Sequence, residues 1–129
     1  MRKNTFLKLI RKEVLYPSVV LLLLTLPSCA KTVIHMRDLA GLRMGMAPDV
    51  PPRIMGTPPN QVFEWSLATT GDAITVQSYA LASGEYRSTY FLAYRNDALI
   101  FWGYPQEFAR SPDPLLREIG REAIRRHVR

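Results

Sequence analysis

LRMGMAPDVPPRIMGTPPN, residues 42–60, sets three Met and five Pro around two glycines, Gly45 and Gly56, just before a region that alternates like a sheet. Proline is accepted in the first turn of a helix, where the N–H groups have no partner, but deeper in it collides with the preceding turn. Pro48, Pro51 and Pro52 therefore allow only a short helix, begun near Asp49 and with Val50, Ile54 and Met55 as its apolar side. Gly56 can take positive φ at its end, and Pro58-Pro59 forbid continuation. Upstream, Leu39, Leu42 and Met46 recur every three or four residues while Arg37, Asp38 and Arg43 reach water. That spacing predicts another short helix over 37–43, with Gly45 as its stop.

Beyond Asn60 the period changes to two. Phe63, Trp65 and Leu67 alternate with Glu64 and Ser66, which predicts a half-buried strand ending at the Gly71-Asp72 turn. A second strand over 73–82 shifts its apolar phase from Ile74 and Val76 to Tyr79 and Leu81, and a bulge near Gln77-Ser78 accounts for the shift. After the turn in ASGEY, residues 82–86, one face carries Tyr86, Tyr90, Leu92 and Tyr94 and the other Phe91 and Ala93. Asn96-Asp97 closes a tight hairpin into Leu99–Trp102. The fold class is α+β: two short N-terminal helices packed on a three- to four-stranded antiparallel meander, followed by a C-terminal amphipathic helix. That helix, in the Arg-rich tail 111–129, places Leu115, Leu116, Ile119, Ala123, Ile124 and Val128 on one side. Glu118 with Arg121, and Glu122 with Arg125 or Arg126, are spaced for ion pairs of about 0.2–0.5 kcal/mol each.

The 129 residues carry a formal charge of +6. Arg2, Lys3, Lys8, Arg11 and Lys12 against Glu13 supply most of it, and residues 29–110 balance to zero. No basic stripe crosses the middle, so nucleic acid is not an expected partner. Behind the basic start runs Val19–Leu24, continuing to Leu26-Pro27-Ser28-Cys29, in the order of an export signal. LPSC, residues 26–29, resembles the lipobox of bacterial lipoproteins, with Pro27 an uncommon residue for it. The resemblance implies that 1–28 is a signal peptide and that Cys29 is lipidated, 29–36 serving as tether. Ala30, where an Asp would stand in proteins retained at the inner membrane, implies transport to the outer membrane. The alternative is an inner-membrane anchor made by an uncleaved helix: Val14–Ala30 is 17 residues without charge, at the short limit for a span, with Pro17 and Pro27 counting against it.

Residues 42–58 also resemble the SmpA/OmlA (BamE-like) family of small outer-membrane lipoproteins. Arg43, Gly45 and Met46, then Gly56, Thr57 and Pro58, carry the likeness. It implies that Gly-Met ends the first helix, that the second lies between, and that Gly-x-Pro breaks it before the first strand. The BamE-like domain would then be 37–110. Ala47 where the family has a Thr or Ser cap, Pro51-Pro52 inside the second helix, and the tail after Phe108 depart from the pattern. The implied role is a non-catalytic, lipid-anchored protein that stabilises an envelope protein complex at the outer membrane, with the β-barrel assembly machinery as the family's example.

No nucleophile with a base, carboxylate pair or metal-ligand spacing is recognisable. Cys29 is the only cysteine, and His35 and His127 are the only histidines. The expectation is therefore a protein that is not an enzyme and needs no cofactor, metal or small-molecule substrate. Candidate partner surface lies in FWGYPQEF, residues 101–108, and on the tail helix: Trp102, Tyr104, Phe108, Arg121 and Arg125. If Phe101 points inward, Trp102 and Tyr104 must meet the tail helix, another protein or lipid. The tail itself either packs on the sheet or docks on a partner. The rival function is a periplasmic inhibitor or binding module for a secreted enzyme or cell-wall ligand, because this shape of module serves more than one role.

Overall fold

The computed structural model of the chain describes residues 31–128. The expected signal peptide and Cys29 lie outside the described residues. The elements are β1 (Ile34–His35), a 3-10 helix (Met36–Gly41), α1 (Val50–Met55), β2 (Gln61–Ser66), β3 (Ala73–Ser83), β4 (Tyr86–Arg95), β5 (Ala98–Gly103), α2 (Pro105–Ala109) and α3 (Pro114–His127).

β3 is the hub of a mixed α/β fold. One of its edges pairs antiparallel with β4, from Ile74↔Arg95 to Ser83↔Tyr86. The other edge is shared end to end: β2 runs antiparallel along its first half, Ser66↔Ala73 to Gln61↔Ser78, and β1 runs parallel beside its end, at Ile34↔Leu81 and His35↔Ala82. β5 completes the meander on the far side of β4. The β4–β5 hairpin is tight because Asn96 and Asp97 both adopt positive φ, 49° and 63°, a conformation these residue types tolerate and a type I′ turn requires. β1 shortens the expected tether. Ile34 is fully buried with Leu39 and Leu81, and so belongs to the core. A two-residue strand has no periodicity to read.

Both faces of the sheet are covered. Tyr79, Leu81, Tyr90, Leu92, Tyr94 and Leu99 face Leu39, Leu42 and Met55 from the 3-10 and α1 layer. Ile74, Val76, Phe91 and Ala93 face Phe108 of α2 and Ile119 and Ala123 of α3. This explains the unbroken apolar run Tyr90–Tyr94, since a strand buried on both sides does not alternate. It also corrects the bulge expected at Gln77-Ser78: β3 pairs without interruption there. The phase shift arises because the strand gives its large side chains first to the α3 side and then to the opposite one. The irregularity lies instead between Ala93 and Tyr94, where β5 carries one extra residue. Ile100 and Phe101 consequently both turn toward α3, while Trp102 turns to the other face.

The stretch at 42–60 has two jobs. The expected α-helix over 37–43 is a 3-10 helix that ends at Gly41, where a Cβ would meet Ile54 Cγ2 at 2.7 Å, so Gly45 is not its stop. Gly45, at φ +87°, instead turns the chain onto the outer edge of β5: its N–H donates to the Leu99 carbonyl at 2.8 Å, and the Leu99 N–H donates to Met46 O at 2.8 Å. Gly56, at φ +66°, closes α1 with Gly56 N–H to Arg53 O at 3.3 Å and Thr57 N–H to Pro52 O at 3.1 Å, a Schellman closure. Ile54 is 45 % exposed, so the buried side of α1 is Pro51 and Met55, one turn apart, rather than Val50, Ile54 and Met55. The loop before α1 is tied to the sheet by Gln77, whose amide donates to Pro48 O at 2.7 Å and whose Oε1 accepts from Tyr79 at 3.0 Å and Tyr94 at 2.7 Å. Burial pushes both phenols up, keeping them protonated donors.

α3 is capped by Asp113, whose Oδ1 accepts the Leu115 N–H at 2.9 Å. Ile119 and Ala123 are fully buried and Gly120 lies against Phe108, so the tail helix packs on the sheet. Val128 falls past its end and is exposed.

Candidate partner-binding groove

An open groove of about 700 Å³ lies between the end of β2 and α3. One wall is Trp65, Ser66, Leu67 and Ala68 at the end of β2. The other is Pro114, Glu118, Arg121, Glu122, Arg125 and Arg126 of α3, which recur with helical spacing on the flank beside its buried stripe. Arg126 lies over the Trp65 ring with its Cζ 5.1 Å from the ring centroid. Glu122 accepts from Arg126 Nε at 2.8 Å and from Arg125 Nε at 3.0 Å, and pairs with the second nitrogen of Arg125 as well. The hydrogen bond from Arg125 holds the Glu122 carboxyl below its ordinary range, and Glu122 in turn raises Arg125. The expected pair of Glu122 with Arg125 or Arg126 thus forms with both. Glu118 and Arg121 do not pair: among the described residues Arg121 has no carboxylate within 4.0 Å, and its Nε donates to Arg117 O at 3.4 Å.

The β2–β3 loop that forms one wall is held by a polar clasp. Asp72 Oδ1 accepts from Asn96 Nδ2 at 2.9 Å, and its Oδ2 accepts from the Thr70 hydroxyl at 2.8 Å and from Arg95 Nε and Nη2 at 2.9 and 2.6 Å. Asn96, then Thr70 and Arg95, push the Asp72 carboxyl down to about 2. Within the loop, Leu67 N–H donates to Asp72 O at 2.9 Å and Gly71 N–H to Leu67 O at 2.8 Å. Two turns far apart in sequence, Gly71-Asp72 and Asn96-Asp97, are thereby locked together beside the groove.

The aromatic and arginine residues singled out from the sequence do not form one surface. Trp102 and Tyr104 are half-buried on the α1 face, and Tyr104 meets Tyr90 edge to face at 5.1 Å, so they pack against the chain's own core and not against the tail helix. Phe108 is fully buried between Phe101 at 4.9 Å and Phe91 at 6.0 Å and offers nothing to a partner. Arg121 and Arg125 are exposed at the groove. Trp65, which sequence reading assigned only to a strand, is the aromatic they share it with. Of the motif residues, Gly45, Met46, Gly56 and Thr57 take the structural places described above. Arg43 Nη1 donates to Ala40 O at 3.0 Å and Leu42 O at 2.8 Å, and Pro58 is exposed after the α1 closure.

Three guanidinium groups against two carboxylates, with an indole between, suit an acidic protein segment carrying apolar side chains; Trp and Arg are the residue types that dominate binding energy at such surfaces. Among the described residues no helix is long and apolar enough to cross a membrane. No family model and no curated protein matches the chain.

Proposed function

We propose that this chain is a non-catalytic, lipid-anchored envelope protein of the SmpA/OmlA kind, tethered through Cys29 to the outer membrane, which stabilises a protein complex there. The β-barrel assembly machinery is the first partner to test. The observation that carries the reading is the groove: Trp65 under Arg126, with Arg121 and Arg125 exposed beside it, on a wall fixed by the Asp72 clasp. The export-type leader and LPSC at 26–29 support the compartment, and the Gly45-Met46 and Gly56-Thr57-Pro58 spacing supports the family.

A photo-cross-linking amino acid at position 121, with position 102 on the opposite face as control, tests it in native membranes. The expected result is an adduct between position 121 and a component of the barrel-assembly core, absent from position 102. Without the cross-linker, Arg121→Glu weakens co-purification of that core. Adducts at both positions alike, or none at 121, would remove the groove from the reading. A secreted enzyme captured at 121 would favour the inhibitor role.

A further inference from the structure

β2 meets solvent with its backbone as well as with its side chains. The Leu67 N–H donates to Asp72 O at 2.9 Å, and Ala73 turns its carbonyl toward β4, where it accepts the Asn96 N–H at 2.8 Å. Bonding alternates residue by residue along an antiparallel ladder, so with Ser66 opposite Ala73 the β2 residues that bond to β3 are Gln61, Phe63 and Trp65. The N–H and C=O groups of Val62, Glu64 and Ser66 therefore point away from the sheet. Among the described residues no strand lies beside them, and such a row of unpaired groups is a template for one more strand. The side chains alternate too. Phe63 and Trp65 pack toward α3, whereas Val62, Glu64 and Ser66 are exposed on the other face, Val62 at 49 %.

A strand added to β2 would alternate in the same way. Every second side chain would turn to the α3 side, into the groove beside Trp65, where Arg121, Arg125 and Arg126 stand against Glu118 and Glu122. Among the described residues Arg121 has no carboxylate within 4.0 Å, and Arg125 and Arg126 share Glu122. The side chains between would lie next to Val62 and Glu64, the first an apolar neighbour and the second one that repels a carboxylate placed opposite it. This asymmetry sets the pattern of the occupant: acidic residues two apart for the arginines, with uncharged, mainly apolar residues between them. Two nearer candidates lack it. A second copy of β2 offers Phe63 and Trp65 where carboxylates are wanted and brings its own arginines. Residues 1–30 hold Arg2, Lys3, Lys8, Arg11 and Lys12 against Glu13 alone.

We propose that the partner is held by strand addition: an extended segment with alternating acidic residues pairs with the free edge of β2 and sets its carboxylates against Arg121 and Arg125. This rests on the reading of the groove as the partner site, and the test separates the two. The probe is the end-blocked peptide Thr-Glu-Val-Glu-Val-Glu-Thr at millimolar concentration, with Lys replacing Glu in the control, added to the isotope-labelled full chain in detergent micelles. The expected result is several-fold slower hydrogen exchange at the Val62, Glu64 and Ser66 amides with the Glu peptide, and no change with the Lys peptide. Glu64→Pro removes one outward N–H and spares the β2–β3 ladder, because proline is tolerated where an edge N–H faces solvent. It should abolish the protection at 62 and 66, which Glu64→Ala keeps, while both variants melt close to the parent. No slowing on β2, equal slowing by the Lys peptide, or protection that survives Glu64→Pro overturns strand addition, and the comparison of the two peptides holds whatever the stability of that variant. The position 121 adduct in native membranes decides the reading separately. An adduct that Glu64→Pro leaves unchanged overturns strand addition and keeps the partner site; protection by the Glu peptide with no adduct at 121 keeps strand addition and removes the assembly machinery as its partner.

Discussion

Phe108→Ala separates a core residue from a surface one. The ring is fully buried, with Phe101 edge to face at 4.9 Å, Phe91 at 6.0 Å, and Gly120 of α3 against its Cβ. Truncating a phenylalanine in such a site costs about 3–5 kcal/mol, the lost transfer energy plus a cavity that its neighbours fill only in part. A domain of this size is stable by only about 5–15 kcal/mol, so the loss removes a large share. With a urea slope of about 2 kcal/mol per M, the unfolding midpoint should fall by about 2 M. Trp65 and Trp102 lie on opposite faces of the sheet and should report the same shifted transition in fluorescence. A midpoint that moves by less than about 0.5 M, equivalent to about 1 kcal/mol, would show that the ring is not in the core. The aromatic run 101–108 would then have to be reconsidered as binding surface.

Gly120→Ala should destabilise by about 1 kcal/mol, because the new Cβ meets Phe108 Cβ at 2.5 Å and overpacking outweighs the roughly 1 kcal/mol gained in helix propensity. Thermal unfolding reads the sign, and a stabilised variant would mean that α2 and α3 do not approach so closely. Gln77→Leu leaves the Tyr79 and Tyr94 hydroxyls and the Pro48 carbonyl without their shared partner and should cost about 2–4 kcal/mol, measured by urea unfolding; a neutral result would break the network argument. The Asp72 carboxyl is lower in the folded chain than in the unfolded one, so its contribution is present above the ordinary aspartate value and is lost as pH falls through about 2. Asp72→Asn should therefore flatten the dependence of stability on pH between about 4 and 2, and identical acid profiles would contradict the clasp.

Most of the sheet was legible because its signals are local. Asn96-Asp97 and Gly71-Asp72 are turn chemistry, and the period-two runs between them are the strands. What was not legible depends on what lies above each face. The phase shift in β3 looks like a bulge when one face is assumed to be wet; with α3 on one side and the 3-10 and α1 layer on the other, it needs none. The real bulge, at Ile100, hides in an all-apolar run where every residue suits either face. Phe108 is hidden for a related reason: an aromatic near a proline and a glycine looks like loop surface until α3 is known to fold back over it. The groove was half legible. The arginine spacing on α3 marked Arg121 and Arg125, but Trp65 joined them only through a contact across 61 positions, with Arg126.

The position of the groove follows from how the rest of the sheet is used. Over β3, β4 and β5 both faces are filled by helices, which leaves β2, the edges and the ends. The β5 edge is closed where Gly45 and Met46 bond to Leu99, and the second half of the β3 edge is taken by β1. Among the described residues the outer edge of β2 carries no strand, and such an edge invites pairing unless something discourages it. Here the strand is six residues long, Glu64 is exposed on the face away from α3, and α3 sets an arginine over Trp65 at its end. These features protect the edge against a second copy of the same chain, which would bring like-charged arginines together. On the proposed reading the same arginines attract an acidic segment, so that one arrangement blunts the edge and selects what approaches it.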